Sequence, residues 1–416
     1  MRIKAAIAVL SGVACFGSVA VAADATAAPA GQTAAGCAPG WHLVAAPPAP
    51  GPVNNFLTNV DVVSSKDAWF TGSTWAYAER TSALDSPEIM MFHWNGKAVS
   101  SAPAPNAGFA ADLVIGLGQD LTLDSPADGW LGAGSTSGGS PALRLHDGRW
   151  TPMPTAPAPD PDASSSIVTS DAASISPTDA WAVGYFGNGE RGLGEFGTAA
   201  IEHWNGTQWT MAATPSPPDP DSRLLALTAV SRSDIWAVGW QSSSNSYTST
   251  IPLVEHFDGT AWHLVTAPVP GGSGTSAYPD AISGTGPDGI WMAGFVSPNG
   301  DGGVGTGSTS FVEHWNGAAW SLATTSLPTG VIGTNSLYAA SPTDVWATQT
   351  SDEGIGTSFV HFDGHSWKTV PFPGPQEYGV SYTYYAVSGS GPDDVWAVGT
   401  ETTGAVPLIA HLNCRQ

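Results

Sequence analysis

Short runs of apolar residues, alternating with small or polar ones, recur along the chain and are separated by Gly, Pro, Asp and Ser. The clearest copy divides into "LLALTAVS", "DIWAVGWQS", "PLVEHFDG" and "TAWHLVTAP", each of strand length and each bounded by turn residues. The copies lack the 3.6-residue periodicity of an amphipathic helix. The pattern therefore predicts a four-stranded antiparallel sheet in every copy.

Seven copies follow one another at a spacing of about 55 residues, in the range of propeller repeats. They align on a tryptophan of the second strand, at Trp69, Trp130, Trp181, Trp236, Trp291, Trp346 and Trp396. In this strand Trp236 and Val238 should face one side and Ala237 and Gly239 the other, so that a bulky face packs on a slim one. We therefore predict an all-β, seven-bladed β-propeller with the tryptophans in the core between blades.

Two turns are predicted in each copy. A "SPTD" or "SRSD" turn joins the first two strands, and its Asp, replaced once by Gly289, is expected to accept backbone N–H bonds that hold the bend. An Asn-Gly or Asp-Gly pair joins the last two strands and suits the positive φ angles of a tight hairpin. This pair begins at Asn95, Asp147, Asn205, Asp258, Asn316 and Asp363.

A histidine precedes the second turn in six copies, at His93, His203, His256, His314, His361 and His411, and Leu145 takes the place in the remaining copy. A metal ion needs ligands that meet at one point, whereas these residues are distributed around the predicted ring. We therefore expect the histidines to be structural, and the turn aspartates likewise cannot form a single reaction centre.

The last copy ends in "PLIAHLNCRQ" and lacks a fourth strand, which "GCAPGWHLVAAPPAP" near the amino terminus can supply. We predict that this N-terminal strand completes the C-terminal blade and closes the ring. Cys37 and Cys414 fall on either side of that junction, so we predict a Cys37–Cys414 disulfide, which an oxidising compartment would permit.

The first residues resemble a secretory signal peptide, with Arg2 and Lys4 before an apolar run that ends in small residues. The predicted organisation is a signal peptide at 1–23, a short flexible leader at 24–36 and a single propeller domain at 37–416. A lipoprotein anchor at Cys15 is the competing interpretation. We expect a secreted or cell-envelope-associated monomer with no membrane insertion after cleavage.

The formal net charge is −23, and cleavage would remove the two basic residues of the signal peptide. Such a negative surface argues against binding nucleic acid or anionic lipid. Solvated acid is the ordinary explanation for this charge, and no cofactor is predicted. Aspartates in the loops leave a calcium ion as an open alternative.

The long, irregular connections should share one rim, because the turns after the first and third strands of an antiparallel blade lie together on the other. Exposed Trp and Tyr beside polar groups can stack on sugar rings or anchor a protein. The candidate ligand-binding residues on this rim are Trp75, Tyr77, Arg80, Trp240, Tyr247, Tyr378 and Tyr382. Further aromatic residues there are Phe186, Phe196 and Tyr278. Local packing of long loops is the alternative explanation for each of them.

Signals of catalysis are weak. The serines do not occupy a nucleophile elbow such as G-x-S-x-G before a helix. A pair of loop carboxylates could still serve a glycosidase. The candidates are Glu79, Asp85, Glu190, Glu195, Asp301, Glu353 and Glu377.

The copy "IWAVGWQS…PLVEHFDGTAWHLVTAPVP" resembles the kelch repeat of galactose-oxidase-like propellers, with six residues from His256 to Trp262. It departs in having one Gly where kelch has a pair and His in place of Tyr. The chain resembles more closely secreted bacterial proteins with "SPTDVWAVG…EHWNGTxW" repeats, most of which carry no assigned activity. Galactose oxidase chemistry requires copper and a Cys cross-linked to Tyr, and both mature cysteines are assigned to ring closure, so we expect it to be absent.

The leading hypothesis is a secreted, non-catalytic propeller that binds a polysaccharide or an extracellular protein on its long-loop rim. The alternatives are a carbohydrate-active enzyme that uses loop carboxylates and a structural protein of the cell envelope. A likeness of fold does not by itself transfer a function.

Overall fold

The computed structural model describes most of the chain from Gly40 to Asn413. The described ranges are 40–48, 55–74, 88–105, 121–132, 142–157, 166–187, 197–215, 221–242, 249–272, 275–298, 307–323, 327, 331–350, 357–371, 373, 382–401 and 406–413. The predicted signal peptide, leader and disulfide lie outside these residues and stay predictions. No helix in the described ranges has the length and apolar character needed to cross a membrane.

Within these ranges the strands form seven four-stranded antiparallel sheets, so the predicted propeller is confirmed. The first three blades contain β2 (Asn55–Ser64), β3 (Asp67–Thr74), β4 (Glu88–Trp94) and β5 (Val99–Ser101); β6 (Leu121–Ser125), β7 (Asp128–Leu131), β8 (Ala142–His146) and β9 (Arg149–Met153); and β10 (Ser166–Ser176), β11 (Asp179–Gly187), β12 (Gly197–Trp204) and β13 (Trp209–Met211).

The next three blades repeat this order of inner, second, third and outer strand. They contain β14 (Ser222–Ser231), β15 (Asp234–Ser242), β16 (Thr250–Phe257) and β17 (Trp262–Leu264); β18 (Ser276–Gly284), β19 (Ile290–Ser297), β20 (Thr309–Trp315) and β21 (Trp320–Leu322); and β22 (Val331–Ser341), β23 (Asp344–Thr350), β24 (Thr357–Phe362) and β25 (Trp367–Val370). Blade 7 has β26 (Tyr382–Gly391), β27 (Asp394–Glu401) and β28 (Val406–Asn413), with β1 (Gly40–Leu43) outermost.

The ring closes as the sequence predicts. Strand β1 pairs antiparallel with β28, with Gly40 opposite Asn413 and Trp41 opposite Leu412. Each inner strand contacts the inner strands of the two neighbouring blades. The inner strands of all seven blades line a central cavity of about 340 Å³.

The core lies between blades, where the bulky face of one sheet packs on the slim face of the next. Trp236 is 1% exposed and its ring lies 4.9 Å from Trp315 and 5.6 Å from Trp320 of blade 5. Trp181 makes the corresponding contacts with Phe257 and Trp262 of blade 4. Truncating such a tryptophan to Ala would remove about 3–5 kcal/mol of packing, so these contacts explain why the residue recurs.

The second turn differs from the prediction in five blades. The loop of blade 3 has four residues, since Trp204 pairs with Trp209, and only Gly206 has a positive φ of 93°. Asn205 Oδ1 instead accepts hydrogen bonds from the N–H groups of Thr207 and Gln208, at 3.0 and 3.1 Å. Among the six Asn-Gly and Asp-Gly pairs, only Asp147 and Gly148 form a two-residue turn with positive φ at both positions. The Asn or Asp side chain thus supplies the bend that the tight-hairpin prediction assigned to the backbone.

A glycine three residues after the tryptophan lies opposite a bulge of the inner strand. At Gly239, an added Cβ would lie 2.0 Å from the carbonyl oxygen of Arg223. The inner strand skips one residue there, between Leu224 and Ala226, which brings its backbone against β15. Blade 6 has Gln349 at this position, and its inner strand has a longer irregularity, between Ile332 and Leu337. Close approach of two backbones therefore explains the single recurring glycine.

Candidate functional site

The turn aspartate, the tryptophan and the histidine form one hydrogen-bonded unit near the short-turn rim. In blade 4, Asp234 Oδ1 accepts the indole N–H of Trp236 at 2.8 Å and lies 2.8 Å from His256 Nε2. The His256 ring stacks on Trp236 with a centroid distance of 4.0 Å. The expected backbone role of the aspartate is therefore wrong, because its carboxylate binds these side chains. The contact between the histidine and the aspartate recurs in blades 1, 3, 4, 6 and 7, as a structural role requires. The indole bond is made in blades 1, 4 and 7, whereas Trp346 Nε1 of blade 6 is buried without a hydrogen-bond partner.

Blade 2 departs from this unit, and the prediction for Leu145 is wrong. The two-residue turn shifts the third strand so that Arg144 lies opposite Trp130. The guanidinium lies 5.7 Å from the Trp130 ring and 5.0 Å from the Trp204 ring, and it donates to the Pro177 carbonyl at 3.0 Å. A cation above aromatic rings thus replaces the stacked histidine.

The same shift brings three possible metal ligands together at the short-turn rim, from Asp128, His146 and Asp147. Their donor atoms lie within 4.8 Å of one another. His146 Nδ1, however, is already 2.6 Å from Asp128 Oδ1. Exposed groups of this kind are common without an ion, so they assign no metal to the protein.

Blade 5 departs from the unit at Gly289. Without a carboxylate there, Trp291 Nε1 and His314 Nε2 are buried and have no hydrogen-bond partner. Burial lowers the pKa of His314. The His314 ring lies beside that of Trp291 at a tilt of 31°, with 4.4 Å between the ring centroids.

The opposite, long-loop rim carries an aromatic cluster that crosses three blades. The guanidinium of Arg223 lies 4.4 Å from the Tyr185 ring of blade 3 and 5.1 Å from the Trp240 ring of its own blade. Trp240 meets Tyr278 of blade 5 edge-on at 5.8 Å, and Tyr278 stacks on Phe295 at 5.0 Å. We call Tyr185, Arg223, Trp240, Tyr278 and Phe295 the rim cluster.

The rim cluster contains two buried residues and three that are partly accessible to solvent. Tyr278 and Phe295 are 4% and 7% exposed, whereas Tyr185, Arg223 and Trp240 are half-buried. Cross-strand pairing places Arg223 directly opposite Trp240. Each cation–π contact contributes about 0.5–2 kcal/mol, so the indole is held in one position while part of it remains open to solvent.

Hydrogen bonds between blades hold the backbone beneath this cluster. Ser222 Oγ of blade 4 accepts from the N–H of Ala199 in blade 3 at 3.0 Å. Ser276 Oγ of blade 5 accepts from the N–H of Thr250 in blade 4 at 3.1 Å. The hydroxyl groups at the start of these two inner strands thus fix the neighbouring third strands, which keeps the rim residues in register.

The electrostatics of the two rims differ. Among the Lys and Arg residues that the structure describes, Arg223 alone stands at the long-loop end of its blade. The others lie in or near the short turns, at Lys66, Lys97, Arg144, Arg149, Arg232 and Lys368. The rim cluster therefore offers one localised cation in a strongly acidic protein.

Of the predicted ligand-binding residues, the structure brings Trp240 into this cluster. Tyr382 is placed elsewhere, half-buried against the apolar contact between blades 6 and 7. The remaining five lie outside the described residues, at Trp75, Tyr77, Arg80, Tyr247 and Tyr378, and so do all seven loop carboxylates. Sequence reasoning missed Arg223 and Tyr185, whose only signal is their position at strand ends that face the long connections.

A second set that sequence reasoning missed is buried between blades. Glu202, Glu255 and Glu313 precede the histidine in three consecutive blades and are 2%, 0% and 0% exposed. Burial raises the pKa of the Glu202 carboxyl to about 7 and those of Glu255 and Glu313 to about 8. The recurring "EH" pair in the sequence was the signal that could have identified these glutamates.

Comparison with known proteins supports the class of fold. No protein-family model and no curated protein matches the chain. Among solved structures, YCF48 from Cyanidioschyzon merolae is 14% identical with a TM-score of 0.51, over 90% of this chain and 98% of that chain. YCF48 bound to D1 peptide is 13% identical with a TM-score of 0.50, over 90% and 95%. A puromycin hydrolase is 11% identical with a TM-score of 0.51, over 84% of this chain and 52% of that chain.

The seven four-stranded sheets, together with these similarities of fold, define the protein as a seven-bladed β-propeller. At such low identities they show the fold alone, and the kelch resemblance of the repeats stays an expectation.

Proposed function

We propose that this protein is a secreted, non-catalytic binding propeller that takes a polysaccharide on its long-loop rim. The observation that carries the proposal is the half-buried indole of Trp240, fixed between the Arg223 guanidinium and the Tyr278 ring. A pre-positioned aromatic surface loses little conformational freedom on binding.

The chemistry of the rim cluster suits a sugar ring. An indole face packs against the C–H groups of a sugar, while a neighbouring guanidinium and phenol donate hydrogen bonds to its hydroxyls. The overall negative charge opposes a polyanionic chain at long range, so a neutral polysaccharide is favoured. One contact of this kind is weak, and repeated sugar units along a chain would add affinity through multivalency.

A glycan array with the purified mature protein, run with calcium and with chelator, tests the proposal. We expect binding to one class of neutral polysaccharide that falls at least ten-fold in Trp240→Ala. Leu322→Ala provides the control, because Leu322 is a 39% exposed apolar residue on an outer strand. Unfolding midpoints establish that both variants are folded. Equal binding by Trp240→Ala and wild type would refute the assignment of the site.

A protein ligand is the alternative outcome for the same surface. The YCF48 structure in complex with D1 peptide shows that a propeller of this fold can hold a peptide. A negative array in both buffers, followed by retention of an extracellular protein that Trp240→Ala no longer retains, would favour this alternative over the polysaccharide.

We also propose that the ring is locked by a Cys37–Cys414 disulfide in the oxidising space outside the cytoplasm. The pairing of Gly40 with Asn413 supports it, since the two cysteines lie close in sequence to these paired residues. Intact mass measured under non-reducing conditions tests the bond directly. Two free thiols in the secreted protein would refute it.

A further inference from the structure

Three consecutive blades carry a buried glutamate where the other blades carry an apolar residue. Glu202, Glu255 and Glu313 lie opposite the residue that follows the core tryptophan, at Ala182, Ala237 and Met292. The same register position is occupied in the other four blades by Phe92, Leu143, Val360 and Ala410. The fold therefore accepts an apolar side chain here and does not itself require a carboxyl group.

The carboxyl groups have little to compensate a negative charge. Glu202 Oε1 accepts the Ala156 N–H at 2.5 Å. Neither oxygen of Glu255 or Glu313 has a hydrogen-bond partner, and both side chains are fully buried. A buried carboxylate without a partner is costly, so these groups are neutral in the closed structure.

The other ionisable groups in these two interfaces are bound to partners of their own. On the blade 3 face that meets blade 4, Asp179 and His203 lie 2.9 Å apart, and Arg232 of blade 4 lies 3.4 Å from Asp179. Two buried aspartates join the same blades through the backbone: Asp171 accepts the Leu227 N–H and Asp221 accepts the Gly197 N–H. On the blade 4 face that meets blade 5, Asp234 and His256 lie 2.8 Å apart.

On their own blades, the strands beside the two glutamates carry few further ionisable groups. Next to Glu255 these are Arg223 in the rim cluster, Asp234 in its unit with Trp236, and His263 on the outer strand, which bonds to Asp258. Blade 5 adds the buried Asp280 and His314, whose pKa is lowered by burial. None of these groups forms an ion pair with either glutamate.

The two glutamates lie in the interfaces that hold the rim cluster together. Glu255 is on the blade 4 face that meets blade 3, and the contact of Arg223 with Tyr185 crosses this interface. Glu313 is on the blade 5 face that meets blade 4, and the contact of Trp240 with Tyr278 crosses that one. Opening either interface would therefore separate members of the rim cluster.

We propose that Glu255 and Glu313 regulate the rim site through their protonation. In acid the protonated side chains allow blades 3, 4 and 5 to pack tightly, and the two interfaces between these blades loosen as the pH rises. The inference rests on the proposed function for the identity of the binding surface, but its effect on the interfaces is independent of any ligand. A raised folded-state pKa sets the direction, because an opened interface releases protons that the closed one keeps. The free energy that proton binding by these carboxyl groups contributes to the closed interfaces is complete below about pH 4.5. It is lost progressively as the pH rises to about 8.

Hydrogen exchange with mass spectrometry at pH 5, 6.5 and 8 tests this, after correction for the intrinsic exchange rate. We expect strands β15, β16, β19 and β20 to lose protection by up to about ten-fold per pH unit for each carboxyl group exposed on opening. Strands β3, β4, β23 and β24 serve as internal controls, since Phe92 and Val360 occupy the glutamate position there. Equal pH dependence in both groups of strands would overturn the proposal without any variant.

The same exchange measurement is then made on the double variant Glu255→Gln/Glu313→Gln and on Glu88→Gln. The latter is the control, because it neutralises an exposed glutamate of blade 1. We expect the double variant to remove the extra pH dependence and the control to retain it. Retention in the double variant would overturn the proposal. The hydrogen-exchange experiment needs no glycan. A negative glycan array would therefore refute the proposed function without affecting this test of the interfaces.

Discussion

Removing the Asp234 carboxylate tests directly whether the hydrogen-bonded unit of aspartate, tryptophan and histidine stabilises a blade. In Asp234→Ala, the indole N–H of Trp236 and the imidazole of His256 lose a shared acceptor that lies 2.8 Å from each. Trp236 is 1% exposed, so water cannot easily replace the carboxylate at the indole. In blade 5, where Gly289 replaces the aspartate, neither Trp291 Nε1 nor His314 Nε2 has a hydrogen-bond partner.

The expected cost follows from two hydrogen bonds to a charged group. Each is worth about 1.5–3 kcal/mol, and solvent access at the half-buried His256 reduces its share, so we expect a loss of about 3 kcal/mol. At about 2.1 cal/mol/K of unfolding entropy per residue, the unit Pro39–Gln416 has about 0.8 kcal/mol/K. The unfolding midpoint should therefore fall by about 4 °C.

Urea unfolding followed by tryptophan fluorescence gives the free energy, and calorimetry gives the midpoint. The matched control is Asp288→Ala, which removes an exposed carboxylate from the corresponding turn of blade 5 and should change stability by less than about 0.5 kcal/mol. A free energy of unfolding for Asp234→Ala within 0.5 kcal/mol of wild type would refute the reasoning, because the carboxylate would then be dispensable to the indole and the imidazole.

Further predictions concern the bulge, the pH dependence and the disulfide. Gly239→Ala should prevent folding or lower the unfolding free energy by more than about 3 kcal/mol, because its Cβ would meet a carbonyl oxygen at 2.0 Å; Gly40→Ala, with open space, should be neutral in urea unfolding. Burial raises the pKa of Glu202 to about 7, so the free energy of unfolding should fall between about pH 4.5 and 7. Glu202→Gln should reduce this pH dependence of the urea midpoint, and an unchanged dependence would contradict the assignment. Cys37→Ser and Cys414→Ser should each lower the unfolding midpoint and their combination no further, in the loop-entropy account; additive losses would argue against a bond.

The blade architecture was predictable because its signals are local. A tryptophan, a turn aspartate and an Asn-Gly or Asp-Gly pair at constant spacing define four strands, and β15 has the bounds that "DIWAVGWQS" indicates. Ring closure was also predictable, since the missing fourth strand of the last copy is present near the amino terminus and pairs there as β1.

The details of the turns were less accessible, since they depend on register. Counting back from the Asp-Gly pair placed Leu145 at the histidine position, whereas pairing across the sheet places Arg144 opposite Trp130. A turn with two residues in place of four accounts for the difference, and both turns begin with the same dipeptide. The identity of the turn residues therefore did not determine the loop length.

The sequence by itself determined the number of blades, the order of strands within them and the way the ring closes, because each follows from patterns within one repeat or from the count of repeats. Only the tertiary structure decided which side chains meet: Asp234 binds two rings rather than the backbone, and Arg223 reaches Tyr185 of another blade. These contacts join residues of different strands or repeats. Their formation depends on the register and on the packing of one blade against the next, which no single repeat encodes.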